Sequence, residues 1–176
     1  MNKYLTCTTT IRRTTEADIP AVLAIWEDGR RALAEAGVDQ WADGYPNEEI
    51  LREDIAAGQS YLVLVSRTPA AVATIRPEAD IDYEEIAEGT WLSQKKYCAV
   101  HRIATCASMK RMGLASFIME NAARIARENG CVSLRIDTHD DNRTMQAFLE
   151  RNGFVRCGRI RLHRSGKMRV AFEKLL

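Results

Sequence analysis

The sequence predicts a mixed α/β domain, a central mixed sheet of about seven strands with helices on both faces. Two observations carry this. Segments of alternating apolar residues and segments of helical period follow one another in the order β-α-α-β-β-β-α-β-α-β-β. Inside that order, "KYCAVHRIAT", "GLASFIMENAARIARENG" and "CVSLRID" make a β-α-β unit. Its right-handed crossover makes the two strands parallel neighbours or nearly so, and helices alternating with strands must cover both sheet faces. No repeat, low-complexity tract or linker divides the chain, so one domain over residues 1–176 is expected.

"TIRRTT" alternates and reads as a short strand. In "TEADIPAVLAIWEDGRRALAEAG", Ile19, Val22, Leu23 and Trp26 recur at helical spacing, with Thr15 and Asp18 as start signals and Gly37 as a stop. "VDQWADGYPN" is a loop, and Asn47 caps a second helix, "EEILREDIAAG". "SYLVLVS" and "AAVATIR" are strands joined by a turn at "RTPA", and the acidic "PEADIDYEEIAEGTW" is an irregular loop or insertion. "KYCAVHRIAT" is the next strand. The helix after it turns Leu114, Phe117, Ile118, Ala122 and Ile125 to one face and stops at Gly130. After "CVSLRID", the helix "DNRTMQAFLERNG" turns Met145, Phe148 and Leu149 inward. "FVRCGRIRLH" and "KMRVAFEKLL" are strands around the turn "RSG".

Composition excludes several classes. Hydrophobic residues at 46% and charged residues at 28% place the chain among folded globular domains, and a chain of this length buries roughly 70% of its unfolded surface without staples. A net charge of +1 argues against a large nucleic-acid footprint. The basic runs "IRR" and "GRIRLHRSGKMR" are short and strand-borne. No apolar run reaches the roughly 18 residues of a membrane span, and "MNKYLTCTTT" lacks the apolar core of a signal peptide. The five cysteines, Cys7, Cys98, Cys106, Cys131 and Cys157, are odd in number and lack C-x-x-C spacing. They read as reduced, mostly buried thiols of a cytoplasmic protein. The three histidines show no ligand spacing with them, so no metal is expected.

The junction "KRMGLA" stands between a strand and a helix. Gly113 removes a side chain where the backbone turns, and Ala115 keeps the next turn small. The amides of Arg111, Met112, Gly113, Leu114, Ala115 and Ser116 then point out of a helix start, where the dipole is positive. Lys110 and Arg111 add charge-assisted bonds. This suits a pyrophosphate. A plain turn with solvated basic residues is the alternative. Neither G-x-x-x-x-G-K-[ST] nor G-x-G-x-x-G occurs, so the junction is not one of those nucleotide-binding motifs.

A second pattern, "DTHDDNRTMQAFLERNGF", follows at a fixed distance. Together the two resemble the GNAT superfamily of acyl-CoA-dependent N-acetyltransferases, with the specific motifs between Tyr97 and Phe154 and the element order matching from about Thr10 to Leu176. The family's [Arg/Gln]-x-x-Gly-x-[Gly/Ala] motif maps to Lys110, Gly113 and Ala115, with Lys in place of Arg or Gln. Its Asn-x-x-Ala…Tyr…Gly-Phe motif maps to Asn142, Met145, Leu149, Gly153 and Phe154. The resemblance implies a GNAT-like fold, acetyl-CoA as co-substrate, and a bacterial subgroup of unassigned substrate.

It also implies roles. The fourth strand is splayed from the fifth, and the free backbone of Ile103, Ala104 and Thr105 takes the pantetheine arm as an added strand. A backbone amide of the same strand is the usual oxyanion donor. Asn142 faces the pantetheine or is an ordinary N-cap. The tyrosine that commonly protonates the departing sulfur is Leu149 here, and the acidic position of some relatives is about Ala99. The region of "QWADGYP" covers the acceptor in this family.

The residues themselves supply candidates for the remaining chemistry. An imidazole ordinarily titrates near neutrality, and by strand alternation His101 shares a face with Ala99 and Ile103. It is a catalytic base or a core histidine. His139 binds substrate or is a loop residue, and Asp137 positions either one. Trp41 and Tyr45 form a flat wall for a small amine, with Asp39 or Asp43 pairing with its ammonium, or they anchor a loop. Tyr83, Glu84 and Glu85 add acidic character for a cationic acceptor or form a solvated face. The expected reaction is direct acetyl transfer from acetyl-CoA to a primary amine of a small molecule or amino acid. A protein or peptide acceptor and a non-catalytic acyl-CoA sensor are the alternatives. No nucleic-acid or membrane partner is expected, and the C-terminal strands allow a homodimer.

Overall fold

The computed structural model describes residues 8–176, so Cys7 and most of the stretch read for a signal peptide lie outside it. The strands are β1 (Thr9–Arg13), β2 (Ser60–Val65), β3 (Thr68–Arg76), β4 (Tyr97–Thr105), β5 (Ser133–Thr138), β6 (Val155–Arg161) and β7 (Met168–Leu175). The helices are α1 (Ile19–Glu35), α2 (Glu48–Ala56), α3 (Leu114–Glu128) and α4 (Arg143–Arg151). The element order is the one the periodicities predict. All seven strands join one sheet in the order β1-β2-β3-β4-β5-β7-β6. Among the described residues only β4 and β5 pair in parallel, as the crossover rule requires.

Local chemistry sets the boundaries. The Asp18 carboxylate accepts the Thr15 N–H and hydroxyl, each at 2.8 Å. Thr15 thus opens a short 3-10 turn, and α1 proper begins at Ile19. Asn47 caps α2 by accepting the Ile50 N–H at 3.1 Å. The β2–β3 turn falls earlier than "RTPA". Ser66 and Arg67 both take positive φ (47° and 70°), the two-residue turn whose twist matches the flanking strands, so β3 already begins at Thr68.

Helices cover both faces. On one face Val22, Ile25 and Trp26 of α1 and Leu51 of α2 bury against Leu62 and Val72. Leu23, from the predicted stripe, is only partly buried. On the other face Ile118, Ala122 and Ile125 of α3 and Leu149 of α4 bury against Val63, Val100 and Leu134.

The acidic stretch 77–91 departs from the sequence expectation. It carries one 3-10 turn, Ile81–Tyr83, but it is not simply a solvated face. Tyr83 (1% exposed) and Trp91 (7%) bury against Ala99, Cys157, Ile160 and Ala171. They cover the part of the sheet that α1 and α2 leave open. A large side chain so buried contributes roughly 1.5–3 kcal/mol. The segment also crosses the edge of β6, where Ala87 pairs with Arg159. A Cβ on Gly89 would stand 1.9 Å from the Cys157 carbonyl oxygen, so only glycine permits this approach. Glu84 and Glu85 remain exposed.

A fully buried ion network closes the far end of the stretch. The Glu173 carboxylate (0% exposed) accepts the Ser133 hydroxyl at 2.6 Å, Arg135 Nε at 3.1 Å, and the Leu92 and Ser93 N–H groups at 2.6 and 3.3 Å. The Arg135 guanidinium lies between the Trp91 and Tyr97 rings, 4.1 and 4.0 Å from their centroids.

Two irregularities of β4 set up the site. Pairing with β5 covers only Tyr97–Ala99 against Ser133–Arg135, after which the strands diverge. Pairing with β3 then slips, with His101 opposite Thr74 and Ala104 opposite Val72. The extra residue is a bulge centred on Arg102, whose φ is +52°. A one-residue slip reverses the side-chain alternation. Ile103 therefore packs toward the α3 side and Ala104 toward α1. Strand alternation had put His101 and Ile103 on one face, and the bulge places them on opposite ones.

Candidate active site

The divergence of β4 from β5 opens a groove of about 870 Å³. Its floor is β4, its walls include Gly29 and Leu33 of α1, the loop around Trp41 and Tyr45, and Thr144, Met145 and Phe148 of α4. The β6–β7 turn closes one end, and the start of α3 lies at the other.

The α3 end has the features of an anion site. Gly113 precedes the helix at φ +76°, and the first intrahelical bond is Phe117 N–H to its carbonyl at 3.0 Å. The Leu114, Ala115 and Ser116 amides are therefore the orphan donors of the first turn. Lys110 and Arg111, exposed and without ion-pair partners among the described residues, line the groove beside Ala115. Met112 is exposed outside the groove, and the Leu114 side chain is buried in the core, so only their amides serve such a site. Ile103, Ala104 and Thr105 also line the groove. They lie beyond the last β4–β5 pair, so their backbone on that side carries no ladder.

His101 is held at the head of this free edge. Its Nε2 lies 2.8 Å from Asp80 Oδ2 and its Nδ1 4.0 Å from Asp137 Oδ1. Asp137 in turn accepts the Tyr83 hydroxyl at 2.8 Å. Burial pushes the Asp137 carboxyl above the ordinary carboxylate range, against the opposing His101 charge and Tyr83 bond. For Asp80, burial also pushes upward, but the His101 hydrogen bond and charge, the Asp82 N–H and Arg76 outweigh it and bring the group to about 2. Burial drives Tyr83 well above its ordinary value, so its hydroxyl remains a donor. The ionised Asp80 can therefore accept the proton on Nε2 and fix the ring, leaving Nδ1 with its lone pair free.

Asp80 makes stability pH-dependent with a defined sign. Its folded value (about 2) lies below its ordinary value of 3.8. The contribution is therefore complete above about pH 4 and is lost as pH falls through about 2. Asp80→Asn is expected to destabilise the protein at pH 5, with the deficit shrinking toward pH 2.5. Urea titrations of both proteins across that range check this, and a constant deficit refutes it.

Trp41 and Tyr45 both line the groove. A Cβ on Gly29 would stand 3.0 Å from the Trp41 ring, so the glycine inside α1 makes room for the indole. Asp39 and Asp43 are not free for an ammonium. Asp39 pairs with Lys167 Nζ at 3.1 Å and Asp43 with Arg164 Nη1 at 3.0 Å, while Arg164 also lies 4.2 Å over the Tyr45 ring. These contacts tie the loop to the β6–β7 turn. His139 accepts the Asp141 N–H on Nδ1 at 3.1 Å and is not among the groove-lining residues. Asn142 caps α4 by accepting the Met145 N–H at 3.1 Å, donates to Gln40 at 3.1 Å, and lines the groove as well. Leu149 lies wholly in the core, whereas Met145 and Phe148, predicted to point inward with it, line the groove.

Four contributors escaped the sequence reading: Asp80, Gln40, Arg164 and Arg169. Only Arg169 left a signal. In "MRVAFEK" it shares with Glu173 one face of an otherwise apolar strand, where charge needs a reason.

A family model described as the acetyltransferase (GNAT) family matches residues 25–154. Among solved structures, a GNAT-family acetyltransferase from Streptococcus agalactiae is 30% identical with a TM-score of 0.85, over 96% of this chain and 95% of that one. One from Listeria monocytogenes is 21% identical with a TM-score of 0.74, over 96% and 95%. The PaiA N-acetyltransferase of Thermoplasma acidophilum, in complex with coenzyme A, is 14% identical with a TM-score of 0.70, over 96% and 99%. No curated protein sequence matches the chain.

Proposed function

From the premise that this chain belongs to the GNAT acetyltransferase family, and is an acetyl-CoA-dependent acyltransferase, we propose that it acetylates the primary amine of a small molecule with His101 as general base. One observation carries the proposal: the Asp80–His101–Asp137 cluster stands in the groove at the head of the unpaired β4 edge, with the α3 amides at the other end.

The residues present fit acetyl-CoA. The free backbone of Ile103, Ala104 and Thr105 suits an amide-bearing arm, and the Leu114–Ser116 amides with Lys110 and Arg111 suit a pyrophosphate. Bound acetyl-CoA supplies an acetyl group activated as a thioester. An acceptor amine is mostly protonated at pH 7 and must lose a proton before it attacks. His101 Nδ1 takes that proton, and Asp80 holds the ring and stabilises the imidazolium through Nε2. A free β4 amide is the donor for the carbonyl oxygen. Leu149 offers the sulfur no proton. Asn142 lines the groove from the α4 cap, where Gln40 holds its amide.

The pinned loop favours a small acceptor over a protein. Arg164 and Lys167 join it to the β6–β7 turn, and Trp41 and Tyr45 wall the groove between them. Exposed pairs of this kind are worth only about 0–1 kcal/mol each, so ring packing is the larger part of the closure. A cytoplasmic location belongs to the same proposal. Among the described residues four cysteines are free, burial pushes Cys98 up to about 12, and no helix is long and apolar enough to cross a membrane.

Mass spectrometry of free CoA and acetylated product, with acetyl-CoA and a panel of amines, amino acids and peptides, tests the reading. Acetylated small amines support it. Acetylation confined to peptides refutes the acceptor class, and binding without turnover on any acceptor favours the sensor alternative. Gly113→Val is expected to raise the acetyl-CoA dissociation constant at least about tenfold, because a β-branched residue cannot hold φ +76° and the amide cradle must rebuild. Titration calorimetry reads this directly, and unchanged affinity would remove the cradle from the site.

A further inference from the structure

Among the described residues, most basic side chains around the acceptor end have a carboxylate partner, while the Asp82 carboxylate has no cationic partner and accepts the His163 N–H at 2.6 Å. Arg102 pairs with Asp54 at 3.0 Å, Arg164 with Asp43, Lys167 with Asp39, and Arg76 with Asp80 at 3.4 Å. Arg169 lines the same groove and is 6% exposed, yet among the described residues it has no carboxylate within 4.0 Å. Its Nη1 donates to the Met168 carbonyl oxygen at 3.0 Å, and no other hydrogen bond of its guanidinium is formed. A buried charge without a counter-ion is costly. The nearby acid that feels it is Asp137, which is also the acid beside His101 Nδ1. Two further donors facing the same problem are Arg76 Nε and Arg102 Nε, both buried without an acceptor.

The groove thus holds a guanidinium without a carboxylate partner near His101 and Asp137. We infer that the acceptor is a zwitterionic amino acid, its carboxylate on Arg169 and its ammonium toward Asp137 and His101. This deepens, and rests on, the acetyl-transfer reading above. A guanidinium recognises a carboxylate through paired donors. A polyamine would bring positive charge to Arg169 and find Asp39 and Asp43 already paired.

In the transfer, the N–C bond forms and the C–S bond breaks. One ammonium proton passes to His101 before attack, the second leaves the nitrogen of the tetrahedral adduct and neutralises the departing thiolate through solvent, and the C–S bonding pair leaves with the sulfur. Arg169 takes no part in those steps.

The test gives the protein acetyl-CoA with each of the twenty protein amino acids and, in parallel, each carboxamide, with product read by mass spectrometry. At least one free amino acid is expected to be acetylated, with kcat/KM about a hundredfold above its amide, the size expected when a buried charged partner is lost. Arg169→Gln is expected to bring the acid-to-amide ratio to within about threefold, chiefly by raising KM for the acid. Arg169→Lys recovers part of it. A purely structural role predicts instead a lower melting temperature and equal losses on acid and amide. Equal rates on acid and amide, equal losses in Arg169→Gln, or acetylation of no free amino acid overturns the inference. Primary amines that carry no carboxylate, run in the same series, distinguish the two failures: their acetylation with no preference for free amino acids overturns this inference alone, whereas no acetylation of any amine overturns the acetyl-transfer reading itself.

Discussion

His101→Ala is expected to lower kcat by about a hundredfold or more, the range typical for loss of a positioned general base, with acetyl-CoA affinity unchanged. The amine then meets the thioester still protonated, and only bulk water can take the proton. The loss should shrink as pH rises and the free amine accumulates in solution. Asp80→Asn should reproduce part of the effect, because the ring loses the group that fixes Nε2 at 2.8 Å. Steady-state rates from pH 6 to 9.5 on wild type and both variants decide the matter. A His101→Ala enzyme with full turnover at neutral pH leaves the imidazole as a core residue bonded to Asp80. A loss that is constant with pH assigns it to positioning rather than to proton transfer.

Glu173→Gln is expected to cost about 3–5 kcal/mol of stability, as when one partner of a buried ion pair is removed. The carboxylate accepts four donors from Ser133, Arg135, Leu92 and Ser93. A carboxamide has only one accepting oxygen, and its NH2 would face donors. Arg135 would stay buried between two rings with its counter-ion gone. In a domain of this size the loss lowers the melting temperature by roughly 6–20 °C. Urea unfolding of Glu173→Gln beside a double variant with Arg135→Met measures it. Recovery of most of the loss in the double variant is expected, because the stranded charge leaves with its partner. A single-variant loss under about 1 kcal/mol would show that water reaches the pair.

Both predictions concern groups whose partners are far away in the chain, and this divides what could be read locally from what could not. The β-α-β order, the strand-to-helix junction at Gly113, the Asn47 and Asn142 caps and the apolar stripes of α1 and α3 depend on residues within a turn or two of one another. Their signals are periods and caps, which the chain carries locally. The boundary of the β2–β3 turn was missed by only a residue or two, because Ser66 and Arg67 are poor markers of a turn that needs positive φ.

The acceptor side was decided elsewhere. Asp80, His101 and Asp137 come from three separate segments, and no spacing rule connects them. The bulge at Arg102 has no signature in "VHRIAT", yet it reverses every side chain after it. Asp39 and Asp43 looked free until Lys167 and Arg164 met them across the groove. Tyr83 and Trp91 lay in a stretch read as irregular and acidic, and folding turned them into core. By itself the sequence determined the domain's architecture and the half of the groove suited to acetyl-CoA. The sheet decided which charges would be paired, which would stand alone, and which carboxylate each imidazole nitrogen would meet. The physical reason is that a helix or strand is specified by neighbours a few residues away, whereas charge pairing and burial are properties of segments brought together only when the sheet forms.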